Sequence, residues 1–281
     1  MNNKSVLITG CSSGIGLYVA QHLHSQGYKV FATARKSEDV ERLKQLGLNS
    51  LQLDLDDSVS IKNAVIRVLE ATGGELYALF NNAAYGLPGA VEDLSRYAIR
   101  SQFETNVFGT MELTNLVLPT MRKQGYGRII QNSSILGFAA MPFRGAYNCS
   151  KFALEGLSDT LRQELHGTNI HVSLIEPGPI LSDFRKNSLK AFKKFIDDKN
   201  SLHQQSYNSM LERLHKEGAA APFTLGPEAV CDKVIHALQA KRPRVRYYVT
   251  TPTYIMGYLK RLLSSRAMDW VLMRAGGGGK R

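Results

Sequence analysis

Short apolar runs alternate with helical patterns along most of the chain. The runs are continuous enough for strands that are buried on both faces, and they cover residues 5–9, 29–33, 50–54, 77–81, 128–133, 171–175 and 245–249. Helical patterns lie between them, at residues 14–25, 38–46, 59–71, 96–123, 146–166 and 227–240. This alternation predicts an α/β fold in which a single doubly wound parallel sheet of about seven strands has helices on both faces.

One long segment, residues 181–225, interrupts the alternation with helical fragments and many lysines but no strand pattern. Ligands bind beyond the carboxyl ends of the strands in such sheets. We therefore interpret this segment as a substrate lid, with a solvated surface excursion as the alternative. Residues 1–250 are assigned to one catalytic domain that includes the lid, and residues 251–281 to a C-terminal extension. We expect the glycine run at residues 276–279 to be a flexible tail.

The net charge of +11 on 281 residues is concentrated near the C-terminus. Residues 241–281 contain ten Lys or Arg and one acid, giving +9, so the other 240 residues carry only +2. No recognition helix or RNA-binding motif accompanies these basic residues, and we expect no nucleic-acid partner. Three separated cysteines favour a reducing, cytoplasmic environment, and a strand that begins at Ser5 leaves no room for a signal peptide.

A glycine-rich turn follows the first strand and precedes the first helix. Glycines in this position allow a tight turn and let backbone N–H groups approach a pyrophosphate at the helix N-terminus. The residues assigned to this contact are Gly10, Ser12, Ser13, Gly14, Ile15 and Gly16. The turn also fits the Gly-x-Ser-x-Gly pattern that carries the nucleophile of serine hydrolases. That pattern needs upstream strands, and only nine residues precede Gly10, so the turn indicates dinucleotide binding.

Two basic residues, Arg35 and Lys36, follow the second strand. An acidic residue near this position binds the ribose 2′-hydroxyl of NAD, whereas an arginine accommodates the 2′-phosphate of NADP. Ala34 occupies the position of the acid, and a guanidinium can bind phosphate through two hydrogen bonds. We predict NADP(H) as the cofactor, and an ordinary surface arginine is the alternative interpretation.

Tyr147 and Lys151 are four residues apart in a predicted helix, so their side chains share one face. A phenol with a pKa of about 10 is a weak acid at neutral pH, and a neighbouring cation is expected to lower that pKa. Ser134 lies thirteen residues before Tyr147. Beside a dinucleotide turn, this pairing predicts proton transfer coupled to hydride transfer. Because the cofactor carries the redox chemistry, no metal is expected.

Together these elements resemble the short-chain dehydrogenase/reductase superfamily over residues 4–249. The matching elements are Thr9-Gly10-x3-Gly14-Ile15-Gly16, Asp54, Asn81-Asn82-Ala83-Ala84, Asn106, Ser134, Tyr147-x3-Lys151 and Pro177-Gly178. Residues 176–180 and the pair Arg246-Tyr247 are similar to the branch that contains 17β-hydroxysteroid and retinol dehydrogenases and bacterial NADP-dependent aldehyde reductases. The resemblance implies a Rossmann-type fold and an enzyme that interconverts alcohols and carbonyl compounds.

The resemblance also implies a role for each site residue. Tyr147 would donate a proton to the substrate oxygen, and Ser134, rather than Ser133, would hold that oxygen. Lys151 would bind the nicotinamide ribose and lower the pKa of Tyr147, and Asn106 would hold a water that links Lys151 to solvent. The remaining cofactor contacts would be Asp54 and Leu55 at adenine, Asn82 and Ala83 at the adenosine-side ribose, Ile180 and Ser182 at the carboxamide, and also Pro177 and Gly178.

The apolar segment at residues 135–143 connects Ser134 to Tyr147 and is expected to form part of a pocket wall. Such a wall favours reduction of a hydrophobic aldehyde or ketone, or the reverse oxidation of an alcohol. Steroid or retinol dehydrogenation is the second hypothesis. A non-catalytic NADP-binding sensor is the third, but the presence of Ser134, Tyr147 and Lys151 disfavours it.

The C-terminal extension has a basic amphipathic pattern over residues 251–275. We expect one apolar face made of Ile255, Met256, Tyr258, Leu259, Leu262 and Leu263. This face fits either a membrane interface or packing on the substrate mouth or a neighbouring subunit, and packing is favoured. The resemblance implies a homodimer or homotetramer formed through the helices predicted at residues 96–123 and 146–166.

Overall fold

The computed structural model describes residues 4–219 and 221–275 and contains a seven-stranded sheet. The strands lie in the order β3-β2-β1-β4-β5-β6-β7, and every neighbouring pair is parallel. Their bounds are β1 Ser5–Ile8, β2 Lys29–Ala34, β3 Asn49–Gln52, β4 Ala78–Asn81, β5 Gly127–Asn132, β6 Ile170–Glu176 and β7 Arg246–Tyr248. The predicted doubly wound parallel sheet is confirmed. The glycine run at residues 276–279 lies outside the described residues.

Helices cover both faces of the sheet, which is why the strands are apolar on both faces. Their bounds are α1 Gly14–Ser25, α2 Ser37–Gln45, α3 Ser58–Thr72, α4 Arg96–Phe103, α5 Thr110–Gln124, α6 Gly145–Glu164, α7 Phe184–Phe195, α8 Gln204–His215, α9 Glu228–Gln239, α10 Thr251–Leu262 and α11 Ser265–Ala275. One apolar cluster joins α1, α2 and α9 to the sheet, and another joins α3, α5 and α6. Along β1, Val6 and Ile8 belong to the first cluster and Leu7 to the second, as strand alternation requires.

The prediction of one continuous helix over residues 96–123 is wrong. A π-helical turn at Glu104–Gly109 separates α4 from α5. A Cβ at position 109 would lie 1.9 Å from the backbone oxygen of Leu55, so only glycine allows this close approach. The apolar pattern does not show such a turn, because the pattern continues on both sides of it.

Residues 181–225 fold into α7 and α8, which pack on the domain through their own apolar cluster. This cluster contains Phe192, Tyr207 and Met210 from the segment, together with Leu87 and Ala146. The segment begins and ends beside the sheet, where Ile180 and Leu225 form an isolated β-bridge. Its position agrees with a cover over the carboxyl ends of the strands. Motion of this segment as a lid stays a prediction.

The C-terminal extension folds into α10 and α11. Met256 of α10 and Met268 and Leu272 of α11 are buried in one cluster with Tyr147. The predicted apolar face was wrong in part, because Ile255, Tyr258 and Leu262 are exposed and do not join that cluster. In the described part of the chain, none of the helices is long and apolar enough to cross a bilayer.

Candidate active site

The glycine turn lies between the end of β1 and the segment that follows β4. Gly10 and Gly14 have φ angles of 70° and 57°, a region that favours glycine. A Cβ on Gly10 would lie 2.8 Å from the Cα of Ala83, and a Cβ on Gly16 would lie 2.3 Å from the backbone oxygen of Gly10. The turn therefore packs closely against the segment after β4. Larger residues at these glycines would clash with that segment or with the turn itself and displace the turn.

Hydrogen bonds fix this turn to the residues after β4. The hydroxyl of Thr9 accepts from the backbone N–H groups of Asn82 and Ala83, each at 2.9 Å. The Asn82 amide in turn donates to the backbone oxygens of Thr9 and Gly10, at 3.0 and 3.2 Å. Asn82 and Ala83, which we expected near the cofactor, thus have a structural role in holding the turn.

The first turn of α1 fits a phosphate group. Its N-cap residue, Ser13, makes no side-chain capping hydrogen bond, and the first N–H groups of an α-helix have no partner within the helix. Such N–H groups and the positive end of the helix dipole together bind anions. Ser182 lies opposite this turn, since a Cβ on Gly14 would be 2.9 Å from the Cβ of Ser182. The structure therefore brings Gly14 and Ser182 together, as a shared cofactor site requires.

Basic residues surround the end of β2. Arg35 and Lys36 are exposed, and Lys36 pairs with Glu38 at 3.1 Å. Ala34 is buried, so no acid occupies the end of the strand. Arg42 of α2 donates hydrogen bonds to the backbone oxygen of Ser12 and to Asp39. Sequence reasoning missed Arg42, because its contact with the glycine turn joins residues thirty positions apart.

Asp54 and Leu55 follow β3 and border the same end of the sheet. The backbone N–H of Asp54 donates to the hydroxyl of Ser60 at 3.0 Å, and its carboxylate accepts from the backbone N–H of Asp56 at 3.1 Å. Leu55 is buried beside Gly109. Asp54 is half-buried, and the contact of this pair with adenine stays a prediction.

Ser134, Tyr147 and Lys151 are buried, and Tyr147 and Lys151 share a face of α6. The ammonium of Lys151 lies 5.7 Å from the centre of the Tyr147 ring. It also donates to the backbone oxygen of Asn132 at 2.6 Å, which fixes its position at the end of β5. Ser134 begins a short 3₁₀ turn, where its hydroxyl accepts from the backbone N–H of Leu136 at 3.1 Å.

The pKa values in this cluster differ from the expectation. Burial raises the pKa of Tyr147 above its ordinary value, and a hydrogen bond with Ser134 opposes that rise. Burial also lowers the pKa of Lys151 to about 8, which the Glu155 carboxylate opposes. We expected Lys151 to lower the pKa of Tyr147, but in the protein alone burial disfavours both charged forms and has the larger effect.

The neighbouring serine has a different environment. Ser133 and Glu155 both lie beside Gly137, since a Cβ at that glycine would be 2.6 Å from the Ser133 hydroxyl and 3.1 Å from a Glu155 carboxylate oxygen. Ser133 thus faces the interior beyond the loop, whereas Ser134 faces Tyr147. This arrangement supports Ser134 as the residue beside the reacting oxygen.

Asn106 lies in the π-helical turn and binds protein groups on both sides. Its side-chain oxygen accepts from the backbone N–H of Tyr85 at 3.2 Å, and its amide donates to the backbone oxygen of Tyr85 at 3.0 Å. The amide also donates to the hydroxyl of Ser150 on α6 at 3.1 Å. The side chain therefore joins the turn to α6 one position from Lys151. The predicted water link from Lys151 to solvent through Asn106 stays a prediction.

The loop after β6 borders the site from the other side. The backbone oxygen of Pro177 accepts from the N–H of Ile135 at 2.8 Å. A Cβ on Gly178 would lie 2.1 Å from the Thr250 hydroxyl, so the loop packs tightly on the start of α10. Ile180 packs against the cluster of α1 and α9. Together with Ser182, these residues form one continuous wall beside the glycine turn.

Three acidic side chains surround Arg246 behind the site, and the sequence analysis did not predict this cluster. Arg246 lies 3.1 Å from Glu155, 2.6 Å from Asp159 and 3.2 Å from Glu176. Burial and, to a smaller extent, the adjacent Glu155 carboxylate together raise the pKa of Glu176 to about 9, and Arg246 opposes this rise. Glu176 and Arg246 belong to the two segments that carried the narrower resemblance, and the structure brings those segments into contact.

Apolar side chains cover Tyr147. The ring of Phe184 from α7 makes an edge contact with the Tyr147 ring, with centres 5.3 Å apart. Ile135 and Leu136 pack on it from the connecting segment, and the buried face of α10 and α11 completes the cover. The apolar wall predicted for residues 135–143 is thus joined by two distant segments.

The chain belongs to the short-chain dehydrogenase/reductase family. A family model described as short chain dehydrogenase matches residues 4–192. The chain is 45% identical over 269 residues to the uncharacterized oxidoreductase YbbO of Escherichia coli K12, covering 96% of this chain and 94% of that protein. It is 37% identical to human 17-beta-hydroxysteroid dehydrogenase type 1, with coverage of 89% and 78%. It is 34% identical to 3-ketodihydrosphingosine reductase of Bacteroides thetaiotaomicron, with coverage of 96% and 94%.

Solved structures of the family share the fold. A short-chain dehydrogenase/reductase from Burkholderia phymatum in complex with NAD has a TM-score of 0.77 and 24% identity, and the match covers 97% of this chain and 95% of that one. The closed form of a serine dehydrogenase complexed with NADP+ has a TM-score of 0.75 and 25% identity, with coverage of 89% and 95%. The chain is therefore an oxidoreductase of a family that uses NAD(P) cofactors.

Proposed function

We propose that this protein is an NADP(H)-dependent oxidoreductase that reduces the carbonyl group of hydrophobic aldehydes or ketones. One observation carries the proposal: Ser134, Tyr147 and Lys151 are buried together under an apolar cover, at the sheet edge that also holds the glycine turn. A polar reaction centre with apolar walls fits a substrate whose only polar group is the one that reacts.

Tyr147 acts as the proton donor in this proposal. Burial keeps its phenol protonated near neutral pH, which is the form needed to protonate a carbonyl oxygen during reduction. Ser134 holds the same oxygen, and two donors fixed at the oxygen stabilise the negative charge that develops there. The reverse reaction needs the phenolate, so oxidation of an alcohol is expected to become faster at alkaline pH.

The cofactor supplies or accepts the hydride when it is bound. The glycine turn, α1, Asp54, Leu55 and the 177–182 loop would hold it, and Lys151 would bind its nicotinamide ribose. Arg35 and Lys36 favour NADP(H), because they are exposed next to Ala34 and can bind an additional phosphate group. Arg42 would keep the turn in place through Ser12.

The second candidate is oxidation or reduction of a steroid or retinoid. The 37% identity to human 17-beta-hydroxysteroid dehydrogenase type 1 favours it, and the apolar cover suits a large ring system. The 34% identity to a 3-ketodihydrosphingosine reductase instead favours an apolar ketone with a long chain. A non-catalytic NADP-binding sensor has no supporting observation, because all three candidate catalytic residues lie together.

A homodimer or homotetramer in the cytoplasm completes the proposal. Phe108 in the π-helical turn and Phe152 and Leu157 on α6 are exposed apolar residues on the helices expected to form the subunit contact. We expect sedimentation velocity to give a mass of two or four chains.

The purified full chain should be assayed with a panel of apolar aldehydes, ketosteroids and retinoids, with NADPH and with NADH. The expected result is oxidation of NADPH with apolar aldehydes and a lower catalytic efficiency with NADH. No turnover with any carbonyl compound and either cofactor, together with tight NADPH binding, would instead favour the sensor.

A further inference from the structure

The outward face of α10 is apolar, although its opposite face is the one that packs on the domain. Thr253, Met256 and Gly257 are buried. Exposed apolar side chains follow a different stripe, at positions i, i+1, i+4 and i+8 of the helix, and they are Tyr254, Ile255, Tyr258 and Leu262. Tyr258 is 62% exposed and Leu262 is 79% exposed. A helix at the surface of a soluble protein normally places polar residues opposite its buried face.

α11 continues this apolar surface. Met268 and Leu272 are buried, whereas Trp270 and Met273 are 56% and 46% exposed. The guanidinium of Arg274 lies 3.5 Å from the centre of the Trp270 ring, so the tryptophan is held next to a positive charge. We refer to Tyr254, Ile255, Tyr258, Leu262, Trp270 and Met273 as the outer face.

Positive charge accompanies the outer face. Residues 251–275 carry Arg261, Arg266 and Arg274 against Asp269, a net charge of +2 when Lys260 is left out. Lys260 is not counted, because its ammonium lies 5.0 Å from the centre of the Phe152 ring on α6 and therefore faces the domain. Among residues 4–219 and 221–275, none of the three arginines takes part in a salt bridge. A partner that buries the outer face must therefore meet cations that the protein itself does not neutralise.

We propose that the outer face binds the surface of an anionic lipid bilayer. Aromatic and aliphatic side chains accompanied by arginines fit the boundary between charged headgroups and acyl chains. A second copy of this chain is the weaker occupant, because two such faces would bring like charges together. No bilayer-spanning helix is needed for this mode of binding.

Membrane binding would also place the substrate cover at the lipid surface. The buried face of the same two helices contacts Tyr147 through Met256, Met268 and Leu272. An apolar carbonyl compound dissolved in the bilayer would then reach the site through this pair of helices. This consequence rests on the proposed function, whereas the binding itself does not.

The test is co-sedimentation of the full chain with vesicles of phosphatidylcholine alone or mixed with phosphatidylglycerol. The wild-type chain should bind the anionic vesicles roughly tenfold more tightly than the neutral ones, and this difference should shrink at high salt. A triple variant with Tyr258→Ser, Leu262→Ser and Trp270→Ser should lose about tenfold in affinity for the anionic vesicles.

A matched control replaces three exposed apolar residues elsewhere on the surface, as Val59→Ser, Ile66→Ser and Val91→Ser. This control should sediment like the wild-type chain. Equal weakening by both triple variants, or no wild-type preference for anionic vesicles, would overturn the proposal. The proposal would also be overturned if the wild-type chain does not bind vesicles and light scattering shows that the outer-face variant has lost a dimer that the wild-type chain forms.

Turnover of a short water-soluble aldehyde provides the separate check on the reaction. The outer-face variant should retain wild-type turnover with this substrate and lose activity only with a substrate supplied in anionic vesicles. Sedimentation does not depend on turnover. If the protein is inactive but still binds vesicles, the proposed function is wrong and the proposal of membrane binding stands.

Discussion

On the side of the sheet where we propose that the cofactor binds, backbone groups and short polar side chains at the ends of neighbouring strands hold the glycine turn, as Thr9 and Asn82 do. On the proposed substrate side, apolar side chains from three separate parts of the chain cover Tyr147, as Phe184 and Met256 do. The first arrangement depends on close backbone approach and tolerates few substitutions. The second arrangement, the apolar cover, depends on the shape of its side chains. These side chains can differ between enzymes with different substrates while the reaction stays the same.

Tyr147 lies where the two sides meet, and its removal is expected to have the largest effect. Tyr147→Phe keeps the ring against Phe184 but removes the hydroxyl of the proposed proton donor. Turnover should fall by about 10²–10⁴-fold while cofactor binding is retained. The measurements are NADPH oxidation and a fluorescence titration of NADPH.

Tyr28→Phe is the control for this change, because Tyr28 is a buried tyrosine in the cluster of α1 and α9. It should behave like the wild-type chain in both assays. Near-normal turnover of the Tyr147→Phe variant would show that Tyr147 is not the proton donor.

The cofactor side should respond through cofactor choice. Arg35→Ala removes a charged hydrogen-bonding partner of the additional phosphate group, so KM for NADPH should rise by about 10–100-fold and KM for NADH should stay constant. Arg67→Ala, an exposed arginine on α3, is the matched control. Equal effects on both cofactors would mean that Arg35 does not contact the phosphate.

The substrate side should respond through the substrate instead. Phe184→Ala removes the ring that covers Tyr147, and KM for bulky apolar aldehydes should rise by about tenfold. KM for NADPH should change little. Phe223→Ala is the control, because Phe223 is 62% exposed in the same segment. If Phe184→Ala raises only the KM for NADPH, the segment covers the cofactor rather than the substrate.

The acidic cluster around Arg246 is expected to have the smallest effect on turnover, and its effect should appear in the pH dependence of stability. The pKa of Glu176 is raised from 4.5 to about 9, so its neutral form is favoured in the folded protein. Its contribution to stability is complete below about pH 4.5 and is lost as pH rises toward 9. Glu176→Gln should therefore gain stability relative to the wild-type chain as pH rises across this range.

Melting temperatures of both proteins across that pH range provide the measurement. A wild-type chain that gains stability relative to Glu176→Gln at higher pH would contradict the expectation. That result would mean that Glu176 is ionised and that its pairing with Arg246 outweighs the effect of burial.

Much of the fold followed from local patterns. The strand runs predicted all seven strands within a few residues, because strands buried on both faces need continuous apolar sequence. The same patterns failed at the π-helical turn, where Gly109 approaches the backbone of Leu55 across the fold. They also failed on α10. The spacing of apolar residues shows that they share a side of the helix, but it does not show whether that side faces the domain or the solvent.

The candidate site divides in the same way. Gly10, Gly14 and the pair Tyr147 and Lys151 could be chosen from the sequence, since each depends on spacing within one element. Arg42 and Phe184 could not, because they reach the site from other elements. The pKa of Tyr147 could not be judged either, because it depends on how much water the cover excludes.

By itself, the sequence determined the alternation of strands and helices along the chain, the glycine turn and the residues that could move a proton, because these depend on short-range spacing. Only the tertiary structure decided which apolar residues cover Tyr147, which remain on the outer face, and whether burial or a neighbouring charge controls the phenol. Those outcomes depend on contacts between segments far apart in the chain. The hydrophobicity of a residue in the sequence does not show which of these segments it contacts.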